Sequence, residues 1–154
     1  MIFGTKLSGP VLAVASPGGH WLQLRRVESA WEGAEVVYLT PRSSDLKATG
    51  QPGHLIPDAS RSNPLGVLRL IFEVLRVLLR TRPSLIVSTG AAPGLIAVAL
   101  GKLLGIKTVW IDSIANIKKL SMSGRLAGHF ADVWLTQWPH LAKPEGPEYA
   151  GGVL

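Results

Sequence analysis

The residues best suited to chemistry lie in three short turns. The first is Pro17-Gly18-Gly19-His20, between the apolar run Val11–Ala15 and a stretch in which Leu22, Leu24, Val27 and Trp31 recur at helical spacing. Glycine lets the backbone come close to a ligand, and a helix N-terminus offers free N–H groups with partial positive charge, a pairing that favours a phosphate or diphosphate. His20, in the first turn of that helix, is placed to hydrogen-bond such a ligand or to take a proton. A tight turn with His20 as a solvated cap fits the same residues, and a lone Gly-Gly-His does not separate the two readings.

The second turn, Ser88-Thr89-Gly90-Ala91-Ala92-Pro93-Gly94, also follows an apolar run and opens a helix. Ser88, Thr89 and Gly90 offer ligand contacts; Gly90 and Gly94 equally suit close packing of helix on strand. The third segment is Asp112-Ser113-Ile114-Ala115-Asn116. Asp112 has the chemistry to accept a sugar hydroxyl or to act as a base, although its spacing fits better with a cap or a pairing with a basic neighbour.

These turns need a scaffold, and the pattern around them supplies one. Strands are expected at Pro10–Ser16, Ala34–Thr40, His54–Pro57, Ser84–Ser88, Lys107–Ile111 and Asp132–Gln137, by their apolar and β-branched content. Helices are expected after His20, over Asn63–Arg82, over Ala91–Leu104 and over Ser121–Phe130, with Pro41–Gly53 as a loop. Asn63 is a plausible N-cap with Pro64 in the first turn, and Pro83 stops that helix. Strands alternating with helices predict an α/β fold, a Rossmann-like doubly wound parallel sheet, with residues 1–154 as a single domain. In such sheets ligands bind beyond the carboxyl ends of the strands. The first and fourth strands are expected to be neighbours, which sets the two glycine turns side by side.

Composition narrows the class. At 47% hydrophobic residues the 154-residue chain has ample material for a core, so disorder is excluded. The absence of cysteine rules out disulfides and thiolate metal sites and fits a reducing compartment. A net charge of +6 points to anionic partners. Met1–Pro10 is too short and polar for a signal sequence. The uncharged stretch Pro83–Gly101 is broken by Ser88-Thr89-Gly90 and Pro93-Gly94, so it reads as strand, turn and buried helix rather than a membrane span. The histidines at 20, 54, 129 and 140 lack metal-ligand spacing, and no metal or cofactor is expected. Dinucleotide, Walker and nucleophile-elbow motifs are absent.

Three segments, in order, resemble the Alg14-like proteins of oligosaccharide and exopolysaccharide biosynthesis. They are Ala15–His20 (ASPGGH), Ser88–Gly94 (STGAAPG), and the block Asp112-Ser113, Leu120-Ser121-Met122-Ser123-Gly124-Arg125 and Gln137-Trp138-Pro139; the ending Tyr149–Leu154 is similar too. The resemblance implies the N-terminal, acceptor-binding half of a GT-B glycosyltransferase. Its donor half is then a separate Alg13-like or PssE-like catalytic subunit. The pair transfers a sugar with inversion from a UDP-sugar to a polyprenyl-diphosphate-linked acceptor at the cytoplasmic face of the cell membrane. Without an N-terminal span, the chain resembles the bacterial PssD or capsule-type members. On this reading Ser16, Gly18, Gly19, Ser88, Thr89, Gly90 and Ser113 hold the acceptor and its diphosphate, and His20 or Asp112 serves catalysis. Gln137, Trp138 and Tyr149 meet the partner. No second nucleotide-binding unit is expected after the sixth strand, in keeping with a donor half on another chain.

The helix Pro64–Arg82 carries a narrow polar stripe of Arg69, Glu73, Arg76 and Arg80, with Glu73 expected to pair with Arg69 and Arg76. Apolar residues cover the rest, more than one sheet face usually hides. Arg69, Phe72, Arg76, Leu79 and Arg80 are therefore candidates for peripheral contact with an anionic membrane surface, against burial on the sheet or the partner. Two rival readings differ in class. A stand-alone nucleotide or NADP module would place Arg42 on a 2′-phosphate, but lacks the fingerprint. A nucleic-acid binder would use the positive charge, but the basic residues are dispersed and no reader motif is present, so no nucleic acid is expected.

Overall fold

The computed structural model describes residues 7–59 and 62–153; the ends of the expected 1–154 domain, residues 1–6 and 154, and residues 60–61 lie outside them. Seven strands form one sheet: β1 Val11–Val14, β2 Val36–Thr40, β3 Gly53–Leu55, β4 Leu85–Ser88, β5 Lys107–Ile111, β6 Val133–Thr136 and β7 Glu148–Tyr149. Every pairing is parallel, and the spatial order is β3-β2-β1-β4-β5-β6-β7. That is a doubly wound sheet whose strand order reverses between β1 and β4, the place where such folds open a crevice. The expected adjacency of the first and fourth strands holds, with Val14 in register with Ser88.

The strands are apolar on both sides because both sides are covered. Leu12, Val14, Leu39, Ile86 and Trp110 enter one core; Val11, Ala13, Tyr38, Val87 and Val109 enter the other. The first core lies under α3 Pro64–Thr81, α4 Ala91–Leu103 and α5 Met122–Ala127, through Leu70, Val74, Leu78, Ala97, Val98 and Ala127. The second lies under α1 Gly19–Arg26, through Trp21 and Leu24, and under α2 Ser43–Thr49, through Leu46. On that side Tyr38 donates to Glu28, and burial with this hydrogen bond pushes the phenol up to about 12.

Four sequence expectations change. Pro41–Gly53 is not all loop: α2 forms there, anchored by Leu46 and closed by Gly50 in the left-handed region at φ 63°. The first helix ends at Arg26 and continues as a 3-10 turn, Glu28–Trp31, so the buried residues are Trp21, Gln23, Leu24 and Trp31 while Leu22 is exposed. The last helix is short, Met122–Ala127, capped by Ser121. The sheet does not stop at its sixth strand: β7 adds two residues opposite Leu135 and Thr136. The long helix forms as read, with Asn63 accepting from the Gly66 N–H at 3.0 Å and Arg82 closing it before Pro83.

Candidate functional site

The first turn stands at the carboxyl end of β1. Gly18 has φ 86°, a conformation that costs a residue with a Cβ, and α1 begins at the next residue with no side-chain cap on its first-turn N–H groups. Beyond the neighbouring residues and the helix's own backbone, no atom of the described residues lies within 4 Å of where a side chain at Gly18 or Gly19 would begin, so open space fronts the turn.

His20 then leans onto the neighbouring turn. Its Nδ1 lies 3.0 Å from the Thr89 carbonyl, and the Thr89 hydroxyl donates back to the His20 carbonyl at 2.6 Å. A carbonyl only accepts, so Nδ1 carries a proton, and in the neutral ring the lone pair lies on Nε2. The imidazole is thus held in the tautomer of a general base. Gly90 makes this possible: at φ 142°, a Cβ there would overlap the His20 ring. Gly94 serves packing, since a Cβ there would overlap the buried Ser88 hydroxyl. That hydroxyl accepts from the Gly90 N–H at 3.2 Å.

Ala91, the first residue of α4, has φ 65°, which costs a residue with a Cβ about 1–2 kcal/mol. Such strain concentrates at functional turns. Ala91→Gly is expected to raise stability by somewhat less than about 1 kcal/mol, the added unfolded-state entropy offsetting part of the relief. A urea midpoint that falls, as it would at an ordinary helical position, contradicts the strain.

The third segment joins the first two through α1. One turn beyond His20, the buried Gln23 donates to the Ser113 hydroxyl at 3.2 Å and accepts from the Ile114 N–H at 3.4 Å. Gln137 donates to Gln23 at 3.0 Å and to the Asp112 carbonyl at 2.9 Å, and accepts from the Val153 N–H at 3.0 Å. The carboxyl ends of β1, β4 and β5 are therefore tied into one rim. Gln23 was not legible as a site residue; its only signal was a polar side chain on the buried face of an apolar helix.

Asp112 is 2% exposed, and its carboxylate accepts four hydrogen bonds. The donors are the Trp110 indole at 3.3 Å, the Asn116 amide at 3.1 Å, and Ser121 through its N–H at 3.1 Å and hydroxyl at 2.6 Å. Ser121 also accepts from the Gly124 N–H at 2.7 Å, and a Cβ at Gly124 would overlap Asp112. Of the Ser121-Met122-Ser123-Gly124 run, Ser121 and Gly124 are explained by this contact. Asp112 organises the loop from Ser113 to Leu120; no oxygen is left over for the open side.

The three expected partner-facing residues separate. Gln137 is interior, 5% exposed. Trp138 is half-buried and donates its indole N–H to the Ile114 carbonyl at 2.8 Å. Tyr149 is exposed on β7, the edge strand. The five candidates on α3 are all exposed. Leu70, Val74, Val77 and Leu78 are buried on the opposite arc. The outward half of α3 divides into an apolar strip, Leu65, Leu68, Phe72 and Leu79, and a basic one, Arg69, Arg76 and Arg80. Phe72 is 63% exposed and Leu79 56%. Glu73 pairs with Arg76 at 3.6 Å and, among the described residues, forms no ion pair with Arg69. No described helix is long and apolar enough to cross a membrane.

Comparison with known proteins supplies a family. A model described as "Oligosaccharide biosynthesis protein Alg14 like" matches residues 58–153, well over half of the chain. The chain is 46% identical over 55 residues to the "UDP-N-acetylglucosamine transferase subunit alg14" of Schizosaccharomyces pombe, covering 34% of this chain and 26% of that protein. It is 26% identical over 164 residues to the rat subunit of the same name, covering 85% and 76%. Among solved structures, MurG of Acinetobacter baumannii superposes with a TM-score of 0.76 at 18% identity, covering 94% of this chain and 45% of that one. A UDP-N-acetylglucosamine 2-epimerase from Rickettsia bellii gives 0.65 at 14%, covering 85% and 39%. These structural likenesses carry the fold, and the chain spans under half of each.

Proposed function

Because the chain belongs to the Alg14-like family of oligosaccharide biosynthesis proteins, we propose that it is a glycosyltransferase subunit, the acceptor-binding and membrane-recruiting half of a two-chain inverting enzyme. The observation that carries this is the rim at the β1–β4 switch point. Two helix N-termini with glycine turns meet there, and a histidine is anchored through Nδ1 onto the second turn. The first-turn N–H groups of α1, with Ser16, Gly18 and Gly19, bind the diphosphate of a polyprenyl-diphosphate-linked acceptor. His20 takes the proton from the attacking acceptor hydroxyl as the sugar–phosphate bond of the donor breaks. Ser88, Thr89 and Gly90 position His20, and Asp112 holds the loop that carries Ser113.

The donor, a UDP-sugar, is brought by a separate Alg13-like or PssE-like subunit, consistent with relatives that are named transferase subunits. Trp138 and Tyr149 face that partner. The chain works at the cytoplasmic face of the cell membrane, where the outward strip of α3 rests on anionic lipid.

Reconstitution tests this reading. The 154-residue chain alone should show no transfer and no micromolar UDP-sugar binding by calorimetry; adding the donor subunit should restore transfer to a polyprenyl-diphosphate acceptor. Tight UDP-sugar binding by the isolated chain would move the donor site here and overturn the assignment.

A further inference from the structure

The strip on α3 is not alone on its side of the sheet. α3 packs on α4 and α4 on α5, so α5 shares that outer face. The loop before α5 and its outward positions carry Ile117, Lys118, Lys119, Met122, Arg125 and Leu126, all exposed, with Ile117 at 53%. No acidic residue occurs from Ser113 to Ala131. Apolar tips interleaved with cations of one sign complement an anionic, partly apolar surface. The core of an interface with another protein is depleted of charge, lysine included.

The geometry points to a second lipid contact, formed by these six residues and seated on the same anionic bilayer as α3. It rests on the peripheral-membrane reading above and adds orientation to it. One helix lying on a surface leaves rotation about its own axis free; a second contact beyond α4, about 20 Å away at ordinary helix spacings, removes it. The loop is braced for this task from both sides. Asn116 and Ser121 are tied to Asp112, and the Ile117 carbonyl accepts from His140 Nε2 at 2.5 Å. The braced loop belongs to the same rim as the glycine turns, so seating its tip at head-group level brings the open side of those turns to the depth of a lipid-linked diphosphate.

The chain has no cysteine, so Ile117→Cys takes a single environment-sensitive fluorophore. With vesicles containing phosphatidylglycerol, its emission should rise and shift to the blue; with phosphatidylcholine alone it should not. The double variant Lys118→Gln, Lys119→Gln should bind about thirtyfold more weakly at low salt. Leu22→Glu, on the opposite side of the sheet, should bind like wild type. Circular dichroism checks that each variant is folded. If the label stays water-like while Phe72→Glu still releases the chain, the second contact is wrong and the α3 reading stands. If neither the label nor Phe72→Glu responds, both fall. If the glutamine variant keeps full vesicle binding but loses the donor subunit, the patch is a subunit interface and the inference is overturned.

Discussion

His20→Ala lowers turnover of the reconstituted two-subunit enzyme by about a hundredfold or more, the ordinary worth of a positioned general base. The Thr89 carbonyl holds a proton on Nδ1, so in the neutral ring Nε2 is the acceptor. Binding of the acceptor should change little, because the N–H groups of α1 remain. The loss therefore falls on kcat rather than on KM. A drop of only a few-fold would leave His20 a positioning residue and direct the search for the base to the donor subunit.

Asp112→Ala is expected to cost about 3 kcal/mol of stability, because buried donors on Trp110, Asn116 and Ser121 then have no acceptor. That is a large part of the 5–15 kcal/mol typical of a domain. Ser121→Ala loses the cap on Gly124 together with one bond to Asp112 and should cost about 1–2 kcal/mol. Urea unfolding followed by tryptophan emission measures both, and Trp110 reports the same corner of the core. The expected signature is a shifted midpoint with an unchanged slope. A midpoint that stays in place while turnover collapses would mean that Asp112 acts on the substrate instead.

Much of the scaffold follows from local rules. β1, β2, β4, β5 and β6 are apolar runs bounded by Pro, Gly or polar residues, and both-face burial was legible because they lack alternation. The ends of α3 were legible because a cap, a proline in the first turn and a proline beyond the last are signals within a few residues of one another. α2 and β7 were not. α2 is an ordinary polar stretch until Leu46 finds the second core, and β7 exists only because Leu135 and Thr136 lie beside it.

The sequence by itself determined the doubly wound class, the three turns and the two-toned surface of α3, since each is written in composition and short-range spacing. Only the tertiary structure decided what those parts do to one another. His20 meets a carbonyl 69 residues away, Gln137 meets Gln23 across 114, and Asp112 is turned into the core by a serine nine residues on. It also decided which arc of α3 faces out, and that Gln137 is interior. The physical reason is that a polar atom's role depends on which partner satisfies it once water has been excluded, and the fold chooses that partner.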